Sequence, residues 1–319
     1  MMSTDQALGI LFQIYQSILV VLLAPLLTGW VNQCRAWLQN RRGPGLLQPY
    51  RTLRKLFHKD AVMAHNASLL FRATPYILFG SMWLAAAIIP IIAVDLPFSP
   101  AADVIALVGV FALARVFISL AAMDIGTAFG TLGARREMLV SFLAEPALLM
   151  VFFTASLISH STQLPRIVDA LAHHQFILYP SLAFAGLAFV IVMLAENARV
   201  PVDNPSTHLE LTMIHEAMIL EYSARHLALV EWASSLKLFA YLSIGIALFF
   251  PYGIADVGNW GALPIAIIAL LVKLLLAGAA LALLETVLAK LRIFRAPEFL
   301  GTAFLLAVLG LLIHFLLGA

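Results

Sequence analysis

Residues 262–284 read ALPIAIIALLVKLLLAGAALALL, twenty-three positions with a single ionisable side chain, Lys273. The hydrocarbon core of a bilayer is about 30 Å thick and is crossed by roughly 20 apolar residues in a helix, so this stretch is long enough to span it. Seven more runs of the same kind are set off by charge, proline and glycine, at approximately 8–30, 76–94, 103–122, 139–158, 176–195, 233–252 and 300–318. The whole chain agrees: 62% of its 319 residues are hydrophobic and 11% are charged, against about 25% in a soluble domain. The sequence predicts an all-α polytopic membrane protein with eight transmembrane helices, forming one integral membrane domain over 1–319. The first run has no basic segment before it and is too long for a cleaved signal, so it is expected to stay as a helix.

Nineteen Lys and Arg face seventeen Asp and Glu, a balance that fits no nucleic-acid platform. The cations are unevenly placed. Fifteen lie in the joints 31–75, 123–138, 196–232 and 285–299, and the opposite joints hold only Arg166. By the positive-inside rule the basic joints are cytoplasmic and both termini lie outside. In the first joint, Gly43-Pro44-Gly45 forces a turn. Beyond it Leu46, Leu47, Tyr50, Leu53, Leu56 and Phe57 recur at helical spacing among Arg51, Arg54, Lys55 and Lys59, which predicts a helix in the membrane interface or against a partner subunit.

Ionisable groups at membrane depth are costly unless paired or hydrated, so each is a functional candidate. Here they are Arg115, Asp124, Glu137, Glu145, Glu196, Lys237, Lys273 and Glu285. Orientation makes Arg115 and Lys273 the deepest; Arg115 and Asp124 read as packing pairs, Glu145 and Lys273 as functional. Glu137 and Glu145 are eight apart, about 12 Å along a helix, which suits successive stations of a proton path bridged by water. Pro146 frees a carbonyl in the turn before it. The segment 196–237 is dense in chemistry: Asp203, His208, Glu210, His215, Glu216, Glu221 and Arg225 accompany Glu196 and Arg199. Pro201 and Pro205 break the chain, and 207–221 is expected to be a helix too apolar to face water all round.

Several chemistries are excluded. His208 and His215 stand about 10 Å apart on one helix face, too far to share a metal. Cys34 is the only cysteine, so this chain alone builds no disulfide and no iron–sulfur cluster. There is no nucleophile elbow and no phosphate loop; Gly126 to Gly133 reads as a tight turn between two membrane helices.

The stretches Arg41-Arg42-Gly43-Pro44-Gly45-Leu46-Leu47-Gln48-Pro49, Asp124-Ile125-Gly126 through Arg136-Glu137, and Glu196-Asn197-Ala198-Arg199-Val200-Pro201-Val202-Asp203-Asn204-Pro205 leading to Glu221-Tyr222-Ser223 resemble the complex I subunit 1 family. The resemblance covers essentially the whole chain. Members of that family occur in NADH:quinone oxidoreductases and in group 4 membrane-bound nickel–iron hydrogenases. Departures from the respiratory pattern, namely the short turn at Gly43, Glu285 in place of Arg, Ser206-Thr207-His208 in place of a more acidic loop, and Ala224 after Tyr-Ser, favour the hydrogenase-4 or formate hydrogenlyase branch. So do His208 to Glu216 and Glu231-Trp232.

The resemblance implies an anchor subunit without a redox centre, in a bacterial or archaeal inner membrane. Nickel–iron and iron–sulfur centres are expected in its partners: a hydrogenase-like large subunit, a small iron–sulfur subunit and a ferredoxin-like subunit, with antiporter-like membrane subunits alongside. Arg41, Arg42, Gly43, Pro44, Arg135, Arg136, Arg199 and Arg225 would dock the redox arm. Asp203, Glu210, Glu216 and Glu221 would sense it, and Glu196, Glu145, Glu137, Lys273 and Glu285 would relay charge toward the pumping subunits. The alternatives are the quinone-site subunit of a respiratory complex and a purely structural anchor.

Overall fold

Among the described residues seven helices are long and apolar enough to cross a bilayer: α1 (Thr4–Leu38), α3 (Leu69–Ile88), α4 (Val104–Asp124), α5 (Ala128–Ser159), α9 (Ala224–Phe249), α10 (Leu263–Val287) and α11 (Ala296–Leu317). The structure is a computed structural model and describes residues 4–94, 96–173, 180–203, 213–254, 263–291 and 295–317. The eighth expected span, 176–195, corresponds to the shorter apolar helix α7 (Pro180–Glu196), whose 17 described residues rise about 26 Å. The shorter helices are α2 (Gln48–Phe57), α6 (Leu164–His173) and α8 (His215–Ile219). Among the described residues there is no strand beyond one isolated bridge, Asp103 to Gln163.

Helices α7 and α11 pack on α5, α3 packs on α4 and α9, and α1 packs on α9 and α10. Small residues let the backbones approach: Ala24, Ala85, Ala121, Ala144, Ala147, Ala185, Ala188 and Ala240 are fully buried. Between helices in lipid this close packing, rather than a hydrophobic driving force, supplies the association energy. Leu11, Ile18 and Leu22 of α1, Ile268, Val272 and Leu276 of α10, and Leu305, Leu309 and Leu316 of α11 point outward as large apolar side chains.

Helices run further than the apolar runs do. Helix α5 starts at Ala128 rather than near 139, and α9 at Ala224 rather than near 233, because each continues beyond its apolar run as a face packed on protein. The expected turn over Gly126 to Gly133 shrinks accordingly. Only Gly126 has a left-handed backbone, with φ +74°, while the Thr127 hydroxyl caps α5 by accepting from Gly130 N at 3.4 Å. Gly133 is helical and serves close packing: a Cβ there would sit 2.8 Å from the Ile214 carbonyl oxygen and 2.9 Å from Ala217.

At the opposite end, α3 stops at Ile88 and not at 94. The chain after it is buried and non-helical, which requires its backbone groups to be satisfied from elsewhere. Buried Gln13 and Gln16 of α1 do this, donating to the Ala87 carbonyl at 3.0 Å each, and Gln16 to Ile89 at 2.9 Å. Helix α6, not foreseen in the sequence, lies here with Leu164, Ile167, Val168 and Leu171 buried.

Candidate functional site

Arg115, in the middle of α4, is 6% exposed and gathers three carboxylates. Its Nη1 meets Glu145 Oε1 at 3.0 Å, its Nε stands 3.9 Å from Glu137 Oε1, and its Nη2 pairs with Glu196 Oε2. Lys237 of α9 reaches the same Glu196 oxygen at 3.1 Å. The fully buried Tyr241, one turn beyond Lys237, lies beside Glu196 and Arg115 and stacks on Phe111 at a centroid distance of 4.8 Å. The Arg115 guanidinium thus lies between Glu137 and Glu145, hydrogen-bonded to Glu145 and within ion-pair distance of Glu137. Three carboxylates against two cations leave one negative charge uncompensated, so the group has room for one exchangeable proton. The carboxylates differ in burial: the Glu196 side chain is 1% exposed and held by two cations, whereas Glu145 is 33% exposed with one.

Glu285 stands apart from this group. It is buried at the end of α10, where Oε1 meets Arg199 Nη1 at 3.0 Å and Oε2 meets Arg35 Nη1 at 3.4 Å. Buried Asp203 accepts from Ile214 N at 3.3 Å and His215 N at 3.1 Å, capping α8, while Lys290 approaches its other oxygen at 3.7 Å. Leu291 N donates to the Pro201 carbonyl at 2.9 Å. The stretch Arg199 to Asp203 is thus strapped to α1, α8 and the end of α10.

Lys273 is not deep in the bundle beside Arg115. Its long stem carries the ammonium to the outer end of α9, where it donates to the carbonyls of Phe250, at 2.7 Å, and Tyr252. A cation there complements the negative end of the helix dipole. Of the expected sensing residues, Glu216 is half-buried, Glu221 is exposed, and Glu210 lies outside the described residues, as does His208. Residues 207–212 of the expected helix 207–221 also lie outside them, and its described helical part is His215–Ile219. Among the expected docking groups Arg41, Arg42, Pro44, Arg135 and Arg225 are exposed and Gly43 is half-buried. Arg199 is turned inward to Glu285, and Arg136 donates to the Met213 carbonyl at 2.9 Å.

Three cavities that share lining residues adjoin one another between the Gly43-Pro44-Gly45 turn and Arg115. A cleft of about 180 Å³ lies between α1, the Gly43-Pro44-Gly45 turn, α2 and α9, with Thr28, Gln48, Thr52 and Glu231 on its walls. Thr28, Asn32, Glu231 and Ser235 are shared with a polar chamber of about 250 Å³ that also exposes Arg35, Arg199, Asp203, His215 and Glu216. At roughly 30 Å³ per molecule, the chamber holds on the order of eight waters. Asn197, His215 and Ser234 are in turn shared with a smaller pocket of about 50 Å³ against Arg115, Glu137, Glu196 and Lys237. Among the described residues no group of three or more His, Cys, Asp or Glu is placed to hold a metal.

Sequence reasoning missed Arg115 and Lys237 as the centre of the site. The available signal was that Arg115 is the only Arg inside the eight apolar runs. Which carboxylates it meets depends on helix neighbours that are far apart in the chain. The lining role of Asn32 and Glu231 had no sequence signal.

The model of one protein family, described as NADH dehydrogenase, matches residues 11–316. The chain belongs to the NADH dehydrogenase family. This bears out the resemblance to complex I subunit 1. Among family members, formate hydrogenlyase subunit 4 of Escherichia coli (strain K12) is 32% identical over 303 residues, covering 95% of this chain and 98% of that one. Hydrogenase-4 component C of the same organism is also 32% identical, with 94% of each chain covered. An NADH-quinone oxidoreductase component of Rickettsia bellii is 29% identical over 203 residues, 60% of this chain and 58% of that one. The fold matches a chain in the structure of the membrane-bound sulfane sulfur reductase, an archaeal respiratory membrane complex. The TM-score is 0.82 at 20% identity, covering 95% of this chain and 98% of the other.

Proposed function

We propose that this chain is the membrane anchor subunit of a complex I-like, group 4 nickel–iron hydrogenase of the hydrogenase-4 or formate hydrogenlyase type. One observation carries this reading: the similarity to the hydrogenase-type subunits runs over nearly the full length of both chains, whereas that to the NADH-quinone oxidoreductase relative stops at 60% of this one. The chain docks a hydrogenase-like large subunit, a small iron–sulfur subunit and a ferredoxin-like subunit on its cytoplasmic face. Antiporter-like subunits lie beside it in the inner membrane, and both termini face outside. Nickel–iron and iron–sulfur centres belong to the partners; this chain holds and moves protons.

The cluster geometry supports a coupling role. A polar chamber adjoins the small, largely apolar pocket against Arg115, and the uncompensated charge lets the cluster take up one proton. Glu196 stays pinned by Arg115 and Lys237, so the proton rests on Glu145 or Glu137. Glu145 is the more open of the two and stands on the outer wall of α5 next to Phe142, which is 78% exposed. A half-open carboxylate at membrane depth calls for a covering partner, and the proton leaves there toward a neighbouring membrane subunit. Redox events in the docked arm act on the strapped stretch Arg199 to Asp203 and on α8.

Purification of the tagged full chain with its native partners tests the assignment. A large subunit with all four nickel-ligating cysteines supports it, and NADH-oxidising subunits in its place overturn it. The chamber and the partial similarity to the NADH-quinone oxidoreductase relative also favour a second reading, a quinone site in a respiratory complex. Labelling of 31–75 or 196–225 by a photoreactive quinone, with protection by free quinone, would establish that instead.

A further inference from the structure

Helix α2 is amphipathic and lies across α1 and α9. Leu53 faces inward and is buried, while Arg51, Arg54 and Lys55 are exposed. They sit at i, i+3 and i+4, so their charges face one another at neighbouring positions on the helix, a destabilising arrangement without a counter-ion. No acidic residue occurs from Arg41 to Lys59, and among the described residues no carboxylate pairs with these three.

The height and tilt of α2 are set by aromatic contacts. The Tyr50 hydroxyl donates to the Leu22 carbonyl of α1, and burial pushes its phenol pKa up, so it stays a donor. Phe57 packs edge-on to Trp232 at 6.3 Å, and Trp232 Nε1 donates to the Val21 carbonyl at 3.1 Å. Tyr50, Arg54 and Phe57 follow one another at i, i+4 and i+7, so Arg54 stands on the flank that touches α1. Leu22, whose carbonyl Tyr50 bonds, belongs with Ile18 and Leu11 to one face of α1 on which each is more than half exposed. A row of unpaired cations thus sits at the head of an apolar stripe, the two halves of an amphiphile's footprint.

We propose that Arg51, Arg54 and Lys55 bind the phosphate headgroup of an anionic phospholipid of the cytoplasmic leaflet, with its acyl chains lying along the Leu11–Leu22 stripe of α1. The aromatic anchors fix α2 at headgroup depth, and the lipid neutralises the triad. This is independent of which redox subunits dock: none of the groups assigned to docking (Arg41, Arg42, Gly43, Pro44, Arg135, Arg136, Arg199 and Arg225) belongs to α2.

The test uses the purified complex in nanodiscs of phosphatidylcholine, with and without phosphatidylglycerol, and photoreactive analogues of each lipid. Phosphatidylglycerol is expected to label α2 and the stripe of α1, and phosphatidylcholine is not. An Arg51→Gln, Arg54→Gln, Lys55→Gln variant should lose that labelling, with affinity falling roughly five-fold per cation removed. An Arg51→Lys, Arg54→Lys variant, which keeps the charge, should retain it, showing that the loss is not misfolding. Equal labelling by both lipids overturns the proposal, as does protection of α2 by an acidic protein subunit whatever the lipid.

Discussion

Replacing Arg115 by Met removes the cation that three carboxylates share. At 3.0 Å from Glu145 and an effective dielectric of about 20, that attraction alone is roughly 5.5 kcal/mol, most of it offset by the desolvation of both ions. What is left after removal is Lys237 facing Glu137, Glu145 and Glu196, and breaking a buried pair in this way costs about 3–5 kcal/mol. Glu145→Gln has the opposite character. It deletes the uncompensated charge and leaves two carboxylates balanced by two cations, so the assembled complex should melt at or above the parent temperature while coupling is lost. The double variant should recover part of the Arg115→Met loss. The assay is thermal unfolding of the purified complex, read beside ions moved per hydrogen turned over in proteoliposomes. If Glu145→Gln melts well below the parent, or keeps the full ion-to-hydrogen ratio, the charge count or the relay is wrong. A purely structural cluster would move melting and leave that ratio alone.

Gly29→Ala should detach the Gly43-Pro44-Gly45 turn from α1, because a Cβ there runs into the Leu46 carbonyl oxygen; overpacking of this kind costs about 1–3 kcal/mol, and the readout is loss of the redox arm from purified membranes with the anchor still inserted. Glu285→Ala leaves Arg35 and Arg199 without their buried anion, about 3 kcal/mol, and should open a tryptic cut after Arg199 that the parent resists. Lys273→Met should keep the ion-to-hydrogen ratio intact, since its ammonium bonds only the end of α9 among the described residues; the loss should be limited to about 1–2 kcal/mol in melting. A fall in the ratio would put Lys273 back on the relay.

Fold class was legible because lipid imposes one rule, that about 20 apolar residues must follow one another. Helix ends were not, because α5 and α9 leave the apolar region and continue as protein-packed helices, and glycines such as Gly133 read as turns in a sequence while serving contact in the fold. Glu137, Glu145 and Glu196 were recognisable from charge at depth. Their common partner was not, since Arg115 reaches them from a helix whose neighbours no spacing rule names. Lys273 misled for a related reason: its position along the sequence is deep, but a four-carbon stem lets the charge sit elsewhere.

Helix α5 is continuous from Ala128 through Pro146 to Ser159, and it holds both a mechanical contact and an electrical one. At Gly133 it bears on the backbone of α8, at Arg136 it grips Met213, and at Glu137 it meets Arg115. Gly133 and Glu137 are one turn apart, about 6 Å along the axis. A push on α8 therefore arrives at the buried charges through a rigid rod rather than through a train of loops. The Glu137 to Arg115 approach of 3.9 Å lies just outside hydrogen-bond range. A sub-ångström slide of that rod is enough to close or widen it, so the stroke needed to hand a docking event to the membrane is far smaller than the molecule that delivers it.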